Sequence, residues 1–443
     1  MLDEKYLSRM KALLGEDGLE KYLAELERPS PRALRVNTLK GDVSRLSDFT
    51  LSPVPYSDNC YYFSQDKIGN HPLHHAGLFY VQEPGAMIPV ATVDIQKNWK
   101  IFDTCSAPGG KSLQASAFLG DEGFIISNEI NTPRARIMAG NFERMGVRNS
   151  VITSAEVSAV AKQFPYYFDL VIVDAPCSGE GMFRKEADAV RDWSEENVNT
   201  CAERQRDILQ WASQSVRGGG YLIYSTCTFS LEENENVVNA FLKSNPDFEA
   251  VNPDPRVVPY TLSGVGCDKY RRFYPHIAPG EGQFSALLKR KGDEYESPDV
   301  NSALSDLTQE EMKCVGEFLD GVLTDYRPEF IKKFKDYAVY INPNVPVPER
   351  VTYSCGVTIG EVRKGYFQPH HQLFSAMGDL FRCKIDLPLE DQRLDAYLKG
   401  EEIAYDCENG WCAILANGVP LGGGKAVNGR IKNHYPKGLR IQH

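Results

Sequence analysis

The sequence predicts an α/β protein: a doubly wound parallel-sheet domain with a smaller α+β region on either side. Three observations carry that expectation. Between about 97 and 290, short apolar runs alternate with helical patterns, as in strand–helix–strand units wound on one sheet. Residues 168–173 (FDLVIV) are nearly all apolar and end in three β-branched side chains, which suits a strand buried on both faces. That run stops at Asp174-Ala175-Pro176-Cys177-Ser178-Gly179, where proline and glycine prevent the strand from continuing. In an open α/β sheet the carboxyl ends of the strands form the ligand crevice, so Asp174 and Cys177 belong at its lip.

Composition narrows the class. At 443 residues the chain exceeds one core and implies two or three domains. Hydrophobic and charged contents of 42% and 25% are those of ordinary globular proteins. The first residues, MLDEKYLSRMKALLGEDG, mix charges throughout, so no signal peptide is expected. No apolar run approaches the roughly 20 residues of a membrane helix. The 11 cysteines include no C-x-x-C pair, which argues against a zinc ribbon and for free thiols in a reducing cytoplasm. A net charge of −11 argues against non-specific nucleic-acid binding by the molecule as a whole. The last stretch departs from that balance: from Leu421 onward Lys425, Arg430, Lys432, Lys437 and Arg440 meet no acid.

Taken in order, the chain opens with Leu2, Tyr6, Leu7, Met10, Leu13 and Leu14 at helical spacing. Residues 31–40 (PRALRVNTLK) alternate as a strand with Arg32, Arg35 and Lys40 on its exposed side. His71, His74 and His75 sit in a polar turn with no acid or cysteine placed to complete a metal site. Residues 77–87 read as a strand leading into a helix. Strands follow at 100–104, 124–127, 151–153, 168–173 and 221–226, with helices at 112–119, 133–145 and 195–216. Gly218-Gly219-Gly220 would close the last of these helices. A late strand at 283–288 is expected antiparallel at the sheet edge. A polar linker at 292–299 leads to residues 301–443, which mix a helix near 310–323 with short strands.

The chemistry lies in the strand-end loops. Cys105-Ser106-Ala107-Pro108-Gly109-Gly110-Lys111 imitates the end of a phosphate-binding loop, but Cys105 stands where that motif needs its first glycine. What remains is a glycine-rich turn between strand and helix. Glu129, ending the second strand about 20 residues later, stands where this architecture places a ribose-hydroxyl acceptor. S-adenosylmethionine offers a carboxylate, a ribose and a base without a phosphate, and so fits better than ATP. At the fourth strand, enzymes that methylate amino groups carry an Asn/Asp-Pro-Pro-aromatic tetrad, whereas here Asp174-Ala175-Pro176-Cys177 supplies a thiol. Carbon 5 of a pyrimidine becomes nucleophilic only after something adds to carbon 6, and a thiolate is suited to that addition. An acid at ring nitrogen 3 eases it. The fifth strand ends in Ser225-Thr226-Cys227-Thr228, a second thiol at the neighbouring strand end.

These loops, together with Gly179-Glu180-Gly181-Met182-Phe183-Arg184-Lys185 and residues 422–434 (GGGKAVNGRIKNH), resemble the signature of RNA (cytosine-5-)methyltransferases of the NOL1/NOP2/Sun family. The resemblance spans essentially the whole chain and is nearest to the branch that acts on small-subunit (16S) rRNA. It implies a Rossmann-like S-adenosylmethionine-dependent catalytic domain at 96–291, an N-terminal RNA-binding domain at 1–95, and a region 300–443 ending in a PUA-like RNA-binding module at about 375–443. It implies Cys227 as nucleophile, Cys177 as the thiol that helps release product, and Asp174 and Lys111 beside them. It implies that the loop 105–111, Glu129, Arg134, Glu156 and Asp174 hold the cofactor, with Asp103 stiffening its loop. No metal is implied. Arg32, Arg35, Arg184, Lys185, Lys425, Arg430 and Lys432 become candidates for RNA, as do Arg271 and Arg272. The partner would be small-subunit rRNA or the 30S subunit, met by a cytoplasmic monomer. Two other readings stand beside this one: a DNA cytosine-5 methyltransferase, and an RNA-binding ribosome-assembly factor without turnover.

Overall fold

The computed structural model describes residues 2–292, 300–363 and 365–441. A ten-stranded sheet forms its centre. Five parallel strands make up the middle, in the spatial order Val216–Thr226, Phe168–Asp174, Lys100–Asp103, Phe124–Asn128 and Ser150–Thr153. Alternate residues feed two cores. Phe102, Ile126, Val171, Val173 and Tyr224 meet Ala202, Leu209 and Ala212 of the helix Glu195–Ser213. Ile101, Ile125, Leu170, Ile172 and Ile223 meet Leu113, Met138 and Phe142 on the opposite face. Each large side chain withdrawn from water contributes about 1.5–3 kcal/mol, so the apolar strands of the sequence become the most buried part of the molecule. The predicted doubly wound α/β architecture is therefore present.

Two elements differ from their predicted form. The late strand Gln283–Arg290 is antiparallel but internal, because Cys267–Phe273 and Leu262–Gly264 pair beyond it and take the edge. The charges in CDKYRRF concealed that strand, yet Arg272 is buried in an ion pair with Glu235 and Arg271 bonds the backbone. Both arginines are thus spent on packing and are not phosphate contacts. The helix Glu195–Ser213 stops short of Gly218-Gly219-Gly220, which lie inside the strand Val216–Thr226. Gly220 serves close approach rather than capping: a Cβ there would stand 3.0 Å from the carbonyl oxygens of Arg217 and Phe168. Of the expected linker, residues 293–299 lie outside the described residues.

The N-terminal helix Glu4–Leu26 bends at Gly15, whose φ is 72°. Its Tyr6, Met10 and Tyr22 pack on Phe183, Trp193 and Phe229, which follow the strands leading to Cys177 and Cys227, and on Tyr274, which follows the strand Cys267–Phe273. A four-stranded antiparallel sheet comes next, ordered Leu51–Pro53, Cys60–Phe63, Ala33–Val36, Phe79–Val81. Arg35 is not exposed, as the alternation suggested. It is 2% accessible, paired across the sheet with Cys60 and Tyr80, and its Nε donates to Gln82 at 3.4 Å. The strand is covered on both sides, so a period-two pattern misassigned its outer face. The Lys40 ammonium is likewise enclosed, donating to Ala76 O, Ser375 Oγ and Pro420 O at 2.7, 3.0 and 3.2 Å. It ties together segments far apart in the chain.

Beyond residue 300 the chain builds a four-stranded sheet (Ile331–Phe334, Tyr337–Tyr340, Val357–Arg363, Tyr366–Pro369) and a five-stranded one that includes Gly410–Ala416, Val419–Val427 and Arg430–Asn433. A strand from this region, Thr352–Cys355, adds antiparallel to Ser150–Thr153 and extends the central sheet. The central sheet and the C-terminal region thus share hydrogen bonds.

Candidate active site

The parallel strands carry Asp103, Asp174 and Thr226 to one end of the sheet, and the loops that follow meet there. Lys111 begins the second turn-forming position of the short helix Gly110–Ser116, behind Gly109 at φ 107°, a conformation that suits glycine. Its Nζ lies 2.9 Å from Asp174 Oδ2. Ser225, beside Asp174 on the next strand, donates from Oγ to Asp174 Oδ1 at 2.7 Å. Burial pulls the Lys111 ammonium towards neutrality, but the adjacent Asp174 carboxylate outweighs it and leaves the pKa raised. Lys111 is therefore a fixed positive charge that holds Asp174 in one orientation.

Cys177 and Cys227 come together from adjacent strand ends. Their sulfurs are 2.9 Å apart, and the Cys227 N–H donates to Cys177 Sγ at 3.3 Å. The hydrogen bond to the Cys227 sulfur pushes the Cys177 thiol well above its usual pKa, and burial adds to the effect. Cys177 thus keeps its proton at neutral pH. All eleven cysteines are free thiols; Cys105 also stands in a strand-end loop beside Asp174, but Cys177 and Cys227 are the two whose sulfurs meet.

Next to this pair lies a cavity of about 280 Å³ lined by Tyr80, Gln82, Asp103, Cys105–Pro108, Gly110, Lys111, Asp174 and Met182. Its lining tests the cofactor. Asp103 Oδ2 accepts from Ser112 Oγ at 2.6 Å, while Oδ1 is buried without a hydrogen-bond partner. Burial pushes this carboxyl up to about 7, Asp174 adds to the rise, and Ser112 and Lys111 oppose it. An unmatched acid in such a place suits an ammonium group, which S-adenosylmethionine carries and ATP lacks. Glu129 is 3% accessible, accepts the Asn131 N–H at 2.9 Å and pairs with Arg134 at 2.9 Å. Arg134 also donates to Ala107 O at 3.0 Å, which joins the second-strand acid to the glycine loop. Glu156 stands exposed at the start of the helix Val157–Ala161, after the third parallel strand. The residues present fit the cofactor.

The RNA candidates divide. Arg184 is spent inside the protein, because its guanidinium bonds Glu281 at 3.0 Å and the carbonyls of Glu25 and Gly280 at 2.9 Å each. It clamps the N-terminal helix, and with only 6% of its side chain exposed it offers little to a phosphate. Arg32 pairs with exposed Asp66, and Lys185 is exposed. Lys425 and Lys432 are direct cross-strand partners, Arg430 follows opposite Val427, and all three are exposed. The sequence reading missed Ser225, Ser178, Thr228, Gln205 and Glu233, which support the two cysteine loops. The signal was there in Glu232-Glu233-Asn234-Glu235, an acidic run just past Cys227 that folds inward: Glu233 is fully buried.

With this geometry in place, comparison with known proteins is informative. A family model described as 16S rRNA methyltransferase RsmB/F matches residues 90–289. Models of the N-terminal domain of 16S rRNA methyltransferase RsmF and of the methyltransferase RsmF PUA domain match 2–84 and 384–441. Ribosomal RNA small subunit methyltransferase F of Erwinia tasmaniensis is 30% identical over 98% of this chain and 96% of its own. The same-named protein of Vibrio vulnificus is 30% identical over 99% and 97%. Among solved structures, a methyltransferase homolog from Pyrococcus horikoshii is 26% identical with a TM-score of 0.57, covering 65% of this chain and 95% of that one. NSun6 from the same organism, solved with SFG, has a TM-score of 0.59 at 21% identity over 66% and 99%, a likeness of fold. The chain belongs to the RsmF family of 16S rRNA methyltransferases.

Proposed function

We propose that the protein transfers a methyl group from S-adenosylmethionine to carbon 5 of a cytosine in small-subunit rRNA, through a covalent bond between Cys227 and carbon 6. The observation that carries this is the contact of two thiols beside the Asp174–Lys111 pair. Loop 105–111, Asp103, Glu129 with Arg134, and Glu156 hold the cofactor, which supplies an electrophilic methyl group. Asp174 faces ring nitrogen 3 and, in its protonated form, donates to it and so draws electron density from the ring, which lets the Cys227 thiolate add at carbon 6. Carbon 5 then carries the electron pair that takes the methyl group.

Release needs a second group. The carbon 5 proton must go to a base, the electrons of that C–H bond restore the carbon 5–carbon 6 double bond, and the sulfur–carbon pair returns to Cys227. Cys177 assists here: a thiol that keeps its proton cannot compete as nucleophile, and it lies against the departing sulfur, so it can pass its proton to the Cys227 sulfur and, as the thiolate so formed, take the carbon 5 proton. Residues 1–95 and the module at about 375–443 position RNA around this centre, the latter through Lys425, Arg430 and Lys432. We place the reaction in the cytoplasm, carried out by a monomer on rRNA or the 30S subunit.

The test separates the thiols with an rRNA substrate under denaturing electrophoresis. Cys227→Ala should be inactive and form no covalent RNA species. Cys177→Ala should accumulate one that turns over slowly or not at all, and the double variant should form none. The opposite pattern would exchange the roles. Normal activity in both single variants would sink covalent catalysis.

A further inference from the structure

We propose that Glu233 is a positioning residue for the release step: it tethers the Cys177 loop to the Cys227 loop and so fixes one sulfur against the other. The inference rests on the reading of the two thiols given above. Glu233 has no accessible surface and lies six residues past Cys227. One carboxylate oxygen accepts the Ser178 N–H at 2.9 Å and Gln205 Nε2 at 2.8 Å. The other accepts the Ser178 hydroxyl. Gln205 also donates to Pro176 O at 3.0 Å, so both neighbours of Cys177 in the chain are held.

The tether continues to the second thiol. Ser178 Oγ is 2.9 Å from Thr228 Oγ1, and Thr228 is the residue after Cys227. Because the single Ser178 proton goes to Glu233, Ser178 must accept from Thr228. The chain of donors therefore runs Thr228 to Ser178 to Glu233 and joins the residues that follow each cysteine. Tyr224, on the strand that leads to Cys227, donates to the Glu233 carbonyl and fixes the tether from below. Burial pushes the Glu233 carboxyl up to about 7 while Ser178 and Gln205 pull it down. A buried acid held only by neutral donors is costly to keep, and a simple packing role would be met better by an apolar side chain.

Glu233→Ala removes the tether without touching either sulfur. A misplacement of about 1 Å at a reacting group costs up to ~100-fold, so turnover on rRNA should fall roughly 10- to 100-fold. The KM for S-adenosylmethionine should stay within about twofold, since the cofactor loops are elsewhere, and the covalent protein–RNA species should rise as it does in Cys177→Ala. Glu233→Gln keeps one acceptor for the Ser178 N–H and Gln205, and its amide can donate to Ser178 once the hydroxyls reverse. It should recover most of the turnover. Unchanged turnover and adduct in Glu233→Ala overturn the proposal, as does equal loss in the Ala and Gln variants, which would assign the effect to charge. Should Glu233→Ala fail to fold, Ser178→Ala deletes only the hydroxyl bridge. It should still raise the adduct severalfold, and a wild-type level there overturns the tether. Absence of adduct in Cys177→Ala would instead defeat the covalent reading itself.

Discussion

Glu129→Ala gives the sharpest measure of the cofactor site. The carboxylate is almost wholly buried, and its environment fixes what its loss should cost. A hydrogen bond from a ribose hydroxyl to an ionised acceptor contributes about 1.5–3 kcal/mol. Both Glu129 oxygens already accept, one from Asn131 N–H and one from Arg134, so the ribose shares a partly engaged group and the lower half of that range applies. At 1.4 kcal/mol per tenfold, the dissociation constant of S-adenosylmethionine should rise roughly 10- to 40-fold. Folding should suffer little, because Arg134 is about half exposed and such ion pairs contribute under ~1 kcal/mol. Titration calorimetry with S-adenosylmethionine reads the first quantity and a denaturation midpoint the second. A dissociation constant within twofold of wild type, with the protein folded, would refute the ribose assignment. A large loss of stability would show instead that Glu129 serves the turn before the helix Thr132–Met145.

Two further outcomes are expected. Removing residues from 421 onward is a poor test of RNA binding, because Leu421 and Ile431 are core; the triple change Lys425, Lys432 and Arg430 to Gln keeps the hairpin, and should weaken rRNA binding and flatten the slope of log affinity against log salt by about 3 if each side chain meets a phosphate. An unchanged slope would remove these side chains from the interface. Burial holds Lys40 down at about 7, so above that pH the folded protein binds fewer protons here than the unfolded chain does, and stability from this group rises with pH towards 10.5, by roughly 2 kcal/mol between pH 7 and 9. Lys40→Met should abolish that increment in denaturant titrations at the two pH values, and an identical increment in the variant would refute the account.

The parallel strands were legible because burial on both faces leaves a nearly unbroken apolar run, as in FDLVIV, which there stops at Asp174-Ala175-Pro176. The strand Cys267–Phe273 was hidden for the opposite reason. Its arginines are satisfied by Glu235 and by backbone carbonyls rather than by water, and no local pattern distinguishes a solvated arginine from one neutralised by a residue thirty-seven positions away. The same limit explains Arg35 and Arg184. Each carries a charge that sequence spacing assigns to the surface; Arg184 is held by partners that only the tertiary fold brings near, while buried Arg35 bonds Gln82 through Nε with its two terminal nitrogens unpaired.

The active site followed the same division. Residue type singled out Asp174, Cys177 and Cys227 for the proposed chemistry, because addition to a pyrimidine ring demands an acid and a soft nucleophile whatever surrounds them. Their support was not legible, since its members are ordinary polar residues that act only through distance. Ser225 matters because parallel pairing sets it beside Asp174, and Ser178 and Thr228 because each follows a cysteine whose partner lies on the next strand. Such residues need no distinctive type. On a strand, a hydroxyl one position from its present place would read much the same in the sequence and would point to the opposite face, away from its partner. The proposed reacting groups are therefore fixed by their chemistry and the supporting groups by register, and the register is set by the apolar core of the sheet beneath them.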